Sequence, residues 1–295
     1  MVENERGYIS KGVGGFYTVC TPSGEEIVCK ARGRFRKDGI TPVCGDRVLI
    51  ARQRDGHALI DEILPRKNLL ARPPVANIDQ LIIVLSAGKP QPDYLLLDKL
   101  LIAASFSDMA PLIVFNKVDT VSQEQILSCG SAYEKYYPVL YVSAADGTGM
   151  DALKAALSGR ISCFAGQSAV GKSSLLNTLL PELDLPVGGL TRKTDRGRHT
   201  TRHAELWRCF GGAVLDTAGF SLLELELCTQ ETLNAAYREF QNAPKNCRFS
   251  ACAHDAEPDC AVKALVENGS LDRERYERYV QLHRQFEEMR KRQYD

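Results

Sequence analysis

Three short motifs occur in an order that few folds can accommodate. Asn116-Lys117-Val118-Asp119 comes first, Gly166-Gln167-Ser168-Ala169-Val170-Gly171-Lys172-Ser173 second, and Asp216-Thr217-Ala218-Gly219 third. The middle segment matches the phosphate-loop pattern between a strand-like run, Ile161 to Ala165, and a helix-like run from Ser174 to Leu180 that Pro181 stops. Its glycines let backbone N–H groups turn inward around phosphates, and the helix N-terminus adds partial positive charge. Lys172 is placed to reach the β- and γ-phosphates and Ser173 to ligate Mg²⁺. A phosphate loop ordinarily opens its domain and the base-reading loop comes late. Here the base-reading loop comes before it, so the connectivity is circularly permuted.

Asn116-Lys117-Val118-Asp119 follows the apolar run Pro111 to Phe115. A carboxylate at Asp119 can accept two hydrogen bonds from guanine, from the ring N–H and from the exocyclic amine. Adenine offers no such pair and would leave the carboxylate unsatisfied, which discriminates strongly. The Lys117 stem packs against a base, and Asn116 is expected to tie loops together. Ser143-Ala144, after the run Val139 to Val142, reads as a second base-contacting loop. Together with the phosphate loop these segments predict a GTPase domain.

Asp216 follows the strand-like Gly212 to Leu215 and is expected to hold Mg²⁺, with the Gly219 N–H on the γ-phosphate. Many GTPases place glutamine next, to orient water. This chain has Phe220, so a water-orienting group must come from elsewhere or from a partner. Arg196-Gly197-Arg198-His199-Thr200-Thr201-Arg202 reads as the first switch. One of Thr200 and Thr201 should reach Mg²⁺ and the γ-phosphate; both hydroxyls suit. His199 is the nearest candidate to position water, with RNA contact or loop solvation as its other reading. A potassium ion held by a phosphate-loop asparagine is disfavoured, because that position is Ala169.

The region up to residue 68 shows short alternating runs with turns between them: Gly15 to Cys20, Glu26 to Lys30, Asp46 to Ile50 and His57 to Leu64. This spacing predicts a small β-barrel, OB-like or SH3-like. Pro65 and Arg72-Pro73-Pro74 mark a linker. Leu81 to Leu85, Pro111 to Phe115 and Ile161 to Ala165 are continuous apolar runs, and a helix-like run from Tyr94 to Ala104 separates the first two. That alternation predicts a parallel sheet buried on both faces. Past residue 225 a cysteine-rich loop leads to a long helix, about Leu271 to Arg292, with Ser270 as its cap and Tyr276, Tyr279, His283 and Phe286 on one face.

Cys247, Cys252, His254 and Cys260 supply three sulfurs and one nitrogen, a set suited to a closed, structural zinc site. Three buried thiols and a surface histidine are the other reading. The segment is polar and needs a staple, which favours zinc. Seven further cysteines, Cys20, Cys29, Cys44, Cys129, Cys163, Cys209 and Cys228, sit among apolar residues and read as small buried hydrophobes in a reducing compartment.

Formal net charge is zero, so nucleic-acid contact must come from local patches. Arg32, Arg34, Phe35, Arg36 and Lys37 form one, expected on a barrel loop, with arginines for phosphates and an aromatic for a base. A solvated loop is the other reading. No apolar run reaches membrane-spanning length and the first residues are polar and acidic, so the expected address is the cytoplasm.

Taken together, these motifs resemble the ribosome-small-subunit-dependent GTPase A family of bacteria over essentially the whole chain. The resemblance implies an OB-fold, RNA-binding domain (residues 1–68), a circularly permuted GTPase domain (69–225) and a helical zinc-binding domain (226–295). It implies a GTP hydrolase that matures the 30S ribosomal subunit on 16S rRNA, slow alone and accelerated by that subunit. By motif, Asn116, Lys117, Asp119 and Gly166 to Ser174 contact GTP or GDP, and Cys247, Cys252, His254 and Cys260 bind zinc. Phe220 fits the family's hydrophobic residue at the glutamine position. A monomer is expected. The rival readings are a GTP-sensing RNA-binding module in which hydrolysis is incidental, and a metal-dependent enzyme built on the cysteines, which four strong ligands argue against.

Overall fold

The computed structural model describes residues 4–53, 58–71, 74–183, 185, 204–216, 229–241, 243 and 246–294. The N-terminal strands are β1 (Asn4–Val13), β2 (Phe16–Cys20), β3 (Glu26–Ala31), β4 (Arg47–Arg52) and β5 (Ala58–Ile63), with a short helix α1 (Gly33–Lys37) between β3 and β4. They close in the order β1-β2-β3-β5-β4, with β3 and β5 parallel. That order makes the barrel OB-like rather than SH3-like. Alternate side chains fill it: Ile9, Val19, Cys29, Val48, Ile50 and Ile60 are buried, while their neighbours along each strand face outward.

The ten-residue β1 carries no clean apolar alternation, and the turn signals at Gly14-Gly15 and Pro22-Ser23-Gly24 frame only the strands after it. The basic segment expected as a loop is α1. Phe35 is correspondingly not free to stack on a base: it is buried in the barrel core. Arg32 Nε pairs with Asp61 at 2.7 Å, and Arg34 reaches the same aspartate; Arg36 and Lys37 are exposed.

The expected linker is ordered in its described part. A hairpin, β6 (Leu69–Ala71) and β7 (Pro74–Ala76), joins the barrel to the next unit. Asn68 Nδ2 donates to the Ile78 and Ser107 carbonyls, both at 2.8 Å. Arg66 Nε holds the fully buried Asp46 at 2.6 Å. These side chains fasten the join despite the prolines.

The sheet that follows comprises β8 (Gln80–Ser86), β9 (Ala110–Asn116), β10 (Val139–Tyr141), β11 (Ile161–Ala165), β12 (Trp207–Cys209) and β13 (Gly212–Asp216), interleaved with α2 (Tyr94–Phe106), α3 (Gln123–Gly130), α4 (Met150–Leu157) and α5 (Lys172–Leu179). Its order is β10-β9-β8-β11-β13-β12, parallel except for β12. Every residue of β8 is buried. Leu81, Ile83 and Leu85 pack with α2 on one face, and Ile82 and Val84 pack with α4 and α5 on the other. Truncating one such side chain to alanine costs about 2–5 kcal/mol.

The C-terminal unit holds α6 (Gln230–Ala236), α7 (Arg238–Gln241), α8 (Ala261–Glu267) and α9 (Arg273–Tyr294). Asp272, not Ser270, caps α9: its Oδ1 accepts the Arg275 N–H at 2.7 Å. Leu271 is buried and bonded back to Leu265, so the helix starts after it. Tyr279, His283 and Phe286 line the buried face of α9, which packs with Ile102 and Ala103 of α2. Among the described residues no helix is long and apolar enough to cross a membrane.

Candidate functional site

Strands β8, β9, β11 and β13 run parallel, so their carboxyl ends lie on one edge, where open α/β sheets bind ligands. The phosphate-loop motif leaves β11 and enters α5. Gly166 (φ 134°) passes so close to the Val84 carbonyl that a Cβ would collide with it. Val170 is buried and anchors the loop from below. Lys172 Nζ spans the loop, donating to the carbonyls of Gly166 at 2.9 Å and Gln167 at 2.8 Å. Ser173 and Ser174 stand in the first turn of α5, where N–H groups without an intrahelical acceptor and the helix dipole favour an anion.

The Asn116–Asp119 motif, expected from the sequence to read a base, leaves β9 and meets this loop. Asn116 is buried; its Nδ2 donates to the Val170 carbonyl at 2.9 Å and its Oδ1 accepts the Ala144 N–H at 3.2 Å. Lys117 takes a left-handed backbone (φ 65°), and its ammonium donates to Lys89 at 2.8 Å and Ala169 at 2.7 Å. Val118 is buried beneath. Asp119 is exposed, and its Oδ1 accepts the Ser143 hydroxyl at 2.6 Å. Ser143 Oγ in turn accepts the Ala145 and Asp146 N–H groups. The three segments at 116–119, 143–144 and 166–174 are thus cross-linked into one surface. That surface carries the Lys117 side chain, the Asp119 carboxylate and the first turn of α5.

Asp216 ends β13, beside β11. Its side chain lies outside the described residues, as do His199, Thr200, Thr201, Gly219, Phe220 and Cys228. Of the magnesium set, only Ser173 is described.

The four metal-binding candidates come together. One ligand atom from each of Cys247, Cys252, His254 and Cys260 lies within 4.8 Å of all the others. His254 Nδ1 stands 3.8 Å from Cys247 Sγ and 3.3 Å from Cys260 Sγ, close to the roughly 3.8 Å edge of a tetrahedron with 2.3 Å metal–sulfur bonds. Burial lowers the His254 pKa, which keeps its ring neutral and able to donate a lone pair. The Tyr276 hydroxyl fixes this residue through its carbonyl at 2.8 Å. Burial pushes the Cys252 thiol up to about 12, so a thiolate there needs a cation beside it. The donor set fits a metal ion with no position left open. The remaining described cysteines are buried and form no disulfide; Cys44 Sγ donates to the Ser10 and Ala204 carbonyls.

Some parts of the site carry no motif. The Lys89 carbonyl that holds Lys117 belongs to a loop, and backbone acceptors have no residue signature. A buried quartet of Asp98, Glu239, Arg275 and Arg278 joins α2 to the C-terminal unit. Its partners are far apart in sequence; only charged residues on otherwise apolar helix faces could have flagged them.

Residues 63–226 match the family model described as RsgA GTPase, and residues 6–60 that described as RsgA N-terminal domain. The chain is 46% identical to the small ribosomal subunit biogenesis GTPase RsgA of Caldanaerobacter subterraneus subsp. tengcongensis, over 99% of both chains. It is 43% identical to the protein of that name from Ruminiclostridium cellulolyticum, over 94% of this chain and 92% of the other. Among solved structures, YjeQ from Thermotoga maritima superposes with a TM-score of 0.84 at 37% identity, covering 96% of this chain and 99% of that one. YloQ, described as a circularly permuted GTPase, gives 0.83 at 35%, covering 97% and 96%.

Proposed function

The chain belongs to the RsgA GTPase family, and on that premise we propose that it hydrolyses GTP during late maturation of the 30S ribosomal subunit, its nucleotide state setting attachment to and release from 16S rRNA. The observation that carries the reading is the direct bonding of the 116–119 loop to the 166–174 loop, through Asn116 to Val170 and Lys117 to Ala169. A base-reading carboxylate and a phosphate cradle share one surface only if that contact exists.

In this reading Asp119 accepts the guanine ring N–H and amine, Lys117 covers the base, and Ser143 and Ala144 close its edge. Lys172 and the α5 N-terminus hold the phosphates, and charge developing on the γ-phosphoryl group is met by Lys172. Ser173, Asp216 and one of Thr200 and Thr201 would hold the Mg²⁺ that accompanies GTP, which neutralises phosphate charge. Water is oriented by His199 or by a group on the subunit, since Phe220 has no atom for that task. Cys247, Cys252, His254 and Cys260 hold zinc as a structural staple. We take 1–68, 69–225 and 226–295 as the RNA-binding, GTPase and zinc-binding units, acting as a cytoplasmic monomer. Arg32, Arg34, Arg36 and Lys37 remain candidate rRNA contacts on the barrel.

The permutation supplies a means of release. The second switch leads straight into the zinc unit, so loss of the γ-phosphate pulls on a domain resting on RNA. Structures with a GTP analogue and with GDP should differ in the position of that unit.

The deciding experiment is GTP turnover with and without purified small subunits. Turnover should rise strongly with the particles. An unchanged rate would favour a GTP-sensing binding module instead.

A further inference from the structure

A cavity of about 760 Å³ opens between the barrel and the GTPase sheet. Its sheet wall is formed by Asp79, Ile161, Gly212 and Ala213, at the amino ends of β8, β11 and β13. The nucleotide loops leave from the carboxyl ends of the same strands. At about 3.3 Å per residue, the two ends of β11 lie roughly 13 Å apart. The cavity is therefore separate from the nucleotide site.

The barrel wall carries Arg6 and Tyr8 of β1 and Arg47 of β4. Tyr8 pairs directly with Arg47 across the two strands, and Arg6 lies two residues from Tyr8 on the same face. Ile9 and Val48, which follow Tyr8 and Arg47, point into the barrel core, so these three point out. The opposite wall is the β12–β13 turn, with Arg208 and Phe210. Arg208 Nη1 crosses the domain gap to donate to the Gly24 carbonyl at 2.7 Å, which fixes its guanidinium there. Burial raises the Tyr8 pKa, and the nearby Arg208 charge opposes that rise. Arg6 and Arg47 are exposed and have no ion-pair partner among the described residues. The single acid on the walls among the described residues, Asp79, already accepts the Ile161 N–H at 2.8 Å through Oδ2.

In a chain of zero formal charge, three guanidinium groups against one engaged carboxylate are a local excess aimed into one space. Guanidinium forks match phosphate oxygens, and the half-buried rings of Tyr8 and Phe210, which line the cavity, offer aromatic surface to a base. We infer that this cleft binds a short segment of single-stranded RNA, with phosphates on Arg6, Arg47 and Arg208 and a base against Tyr8 or Phe210. The inference deepens the ribosomal function proposed above and rests on that reading for the source of the RNA.

The test uses the full chain with its nucleotide site filled by GDP, and a hexauridylate carrying one 4-thiouridine. The double variant Arg6→Glu/Arg47→Glu should bind this oligomer at least tenfold more weakly. Its plot of log affinity against log salt should be shallower by about 1.4, the share of two phosphates on a single strand. GDP affinity and melting temperature should not move, and Lys135→Glu, an exposed basic residue outside the cleft, should leave oligomer binding unchanged. Crosslinks should map to residues 6–8 or 208–212. Equal affinity and salt slope in the double variant, or crosslinks confined to other segments, would overturn the inference. Uridine monophosphate displacing the hexamer at equal concentration would overturn the strand in favour of a free nucleotide. Turnover with small subunits is measured in parallel. If it is stimulated while the double variant binds RNA normally, the cleft falls and the ribosomal function stands. If it is not stimulated while the variant loses RNA, the function falls and the cleft stands.

Discussion

Asn116 and Val170 are joined by a buried hydrogen bond of 2.9 Å, from the carboxamide of one to the carbonyl of the other. The bond makes the position of the 116–119 loop depend on that of the 166–174 loop. Gly171 lies under it with φ 96°, and a Cβ there would strike Asn116 Nδ2. Gly171→Ala must therefore break this bond and hold alanine in a left-handed backbone, a strain of about 1–3 kcal/mol. GDP affinity, followed by titration, should drop at least tenfold, with a lower melting temperature. Unchanged affinity would show that the two loops are positioned independently.

The carboxylate proposed to read the base, that of Asp119, is already oriented by the Ser143 hydroxyl at 2.6 Å. Asp119→Asn keeps the shape but turns one acceptor into a donor facing guanine's donors. Two charge-assisted hydrogen bonds are worth about 3–6 kcal/mol together, so GTP affinity should fall by about a hundredfold or more. Because the residue is exposed, the melting temperature of the free protein should stay constant. GTP titration of the variant decides the matter, and wild-type affinity would remove Asp119 from base recognition.

The legible parts of this fold were those where local chemistry carries the signal. Leu81 to Leu85 announces a strand buried on both faces, because an unbroken apolar run has no other stable place in a chain of this kind. The phosphate loop was legible because Gly166, Gly171 and Lys172 meet a backbone requirement that few sequences satisfy. The β1 strand was not, since Ile9 alone of its residues joins the barrel core, and its neighbours Tyr8 and Ser10 are covered as well, so no alternation marks it. Phe35 departs from its sequence expectation for a different reason: an aromatic among arginines looks like an RNA contact, but the chain turns into α1 and buries the ring. The Asp98–Arg275 pair was invisible, because nothing in either local sequence specifies a partner on a different unit.

The cysteines separate into two chemical classes. Burial pushes the thiols of Cys29 and Cys209 up to about 11 and that of Cys44 up to about 12. A thiol with a pKa near 11 is about one part in a thousand thiolate at pH 8, so these groups should resist iodoacetamide in the folded protein. Their folded values lie above the unfolded one, so their stabilising effect is full below about pH 8.5 and is lost as pH rises toward 11 to 12. Cys247, Cys252 and Cys260 should also be protected while a metal is bound, and should become reactive when a strong chelator removes it. Peptide mapping by mass spectrometry after alkylation at pH 8 checks this. Equal labelling of the three with and without chelator would sink the metal assignment.

The contact between the GTPase sheet and the C-terminal unit rests on a balanced, buried set of charges. Asp98 of α2 receives Arg275, and also Arg278 Nε at 2.8 Å and the Tyr133 hydroxyl at 2.6 Å. Arg275 also holds Glu239 at 2.7 Å, and its guanidinium lies 4.0 Å from the Tyr237 ring centroid and 5.0 Å from that of Tyr133. Two carboxylates thus face two guanidinium groups, with Asp98, Glu239 and Arg275 almost wholly buried. Such a set adds little net stability as a whole, because desolvation offsets the attraction, yet removal of one member leaves a charge unpaired in the interior. Asp98→Asn should therefore cost about 3–5 kcal/mol, and the loss should fall on this contact. Limited proteolysis should release the segment after residue 229 from the variant under conditions in which the parent protein stays intact. Replacing Arg275 by Met and Glu239 by Gln together, which removes a charge of each sign, should cost much less than Asp98→Asn alone. A variant Asp98→Asn with the parent's proteolysis pattern would mean that the apolar packing of Ile102 and Ala103 against α9 holds the unit without help from these charges.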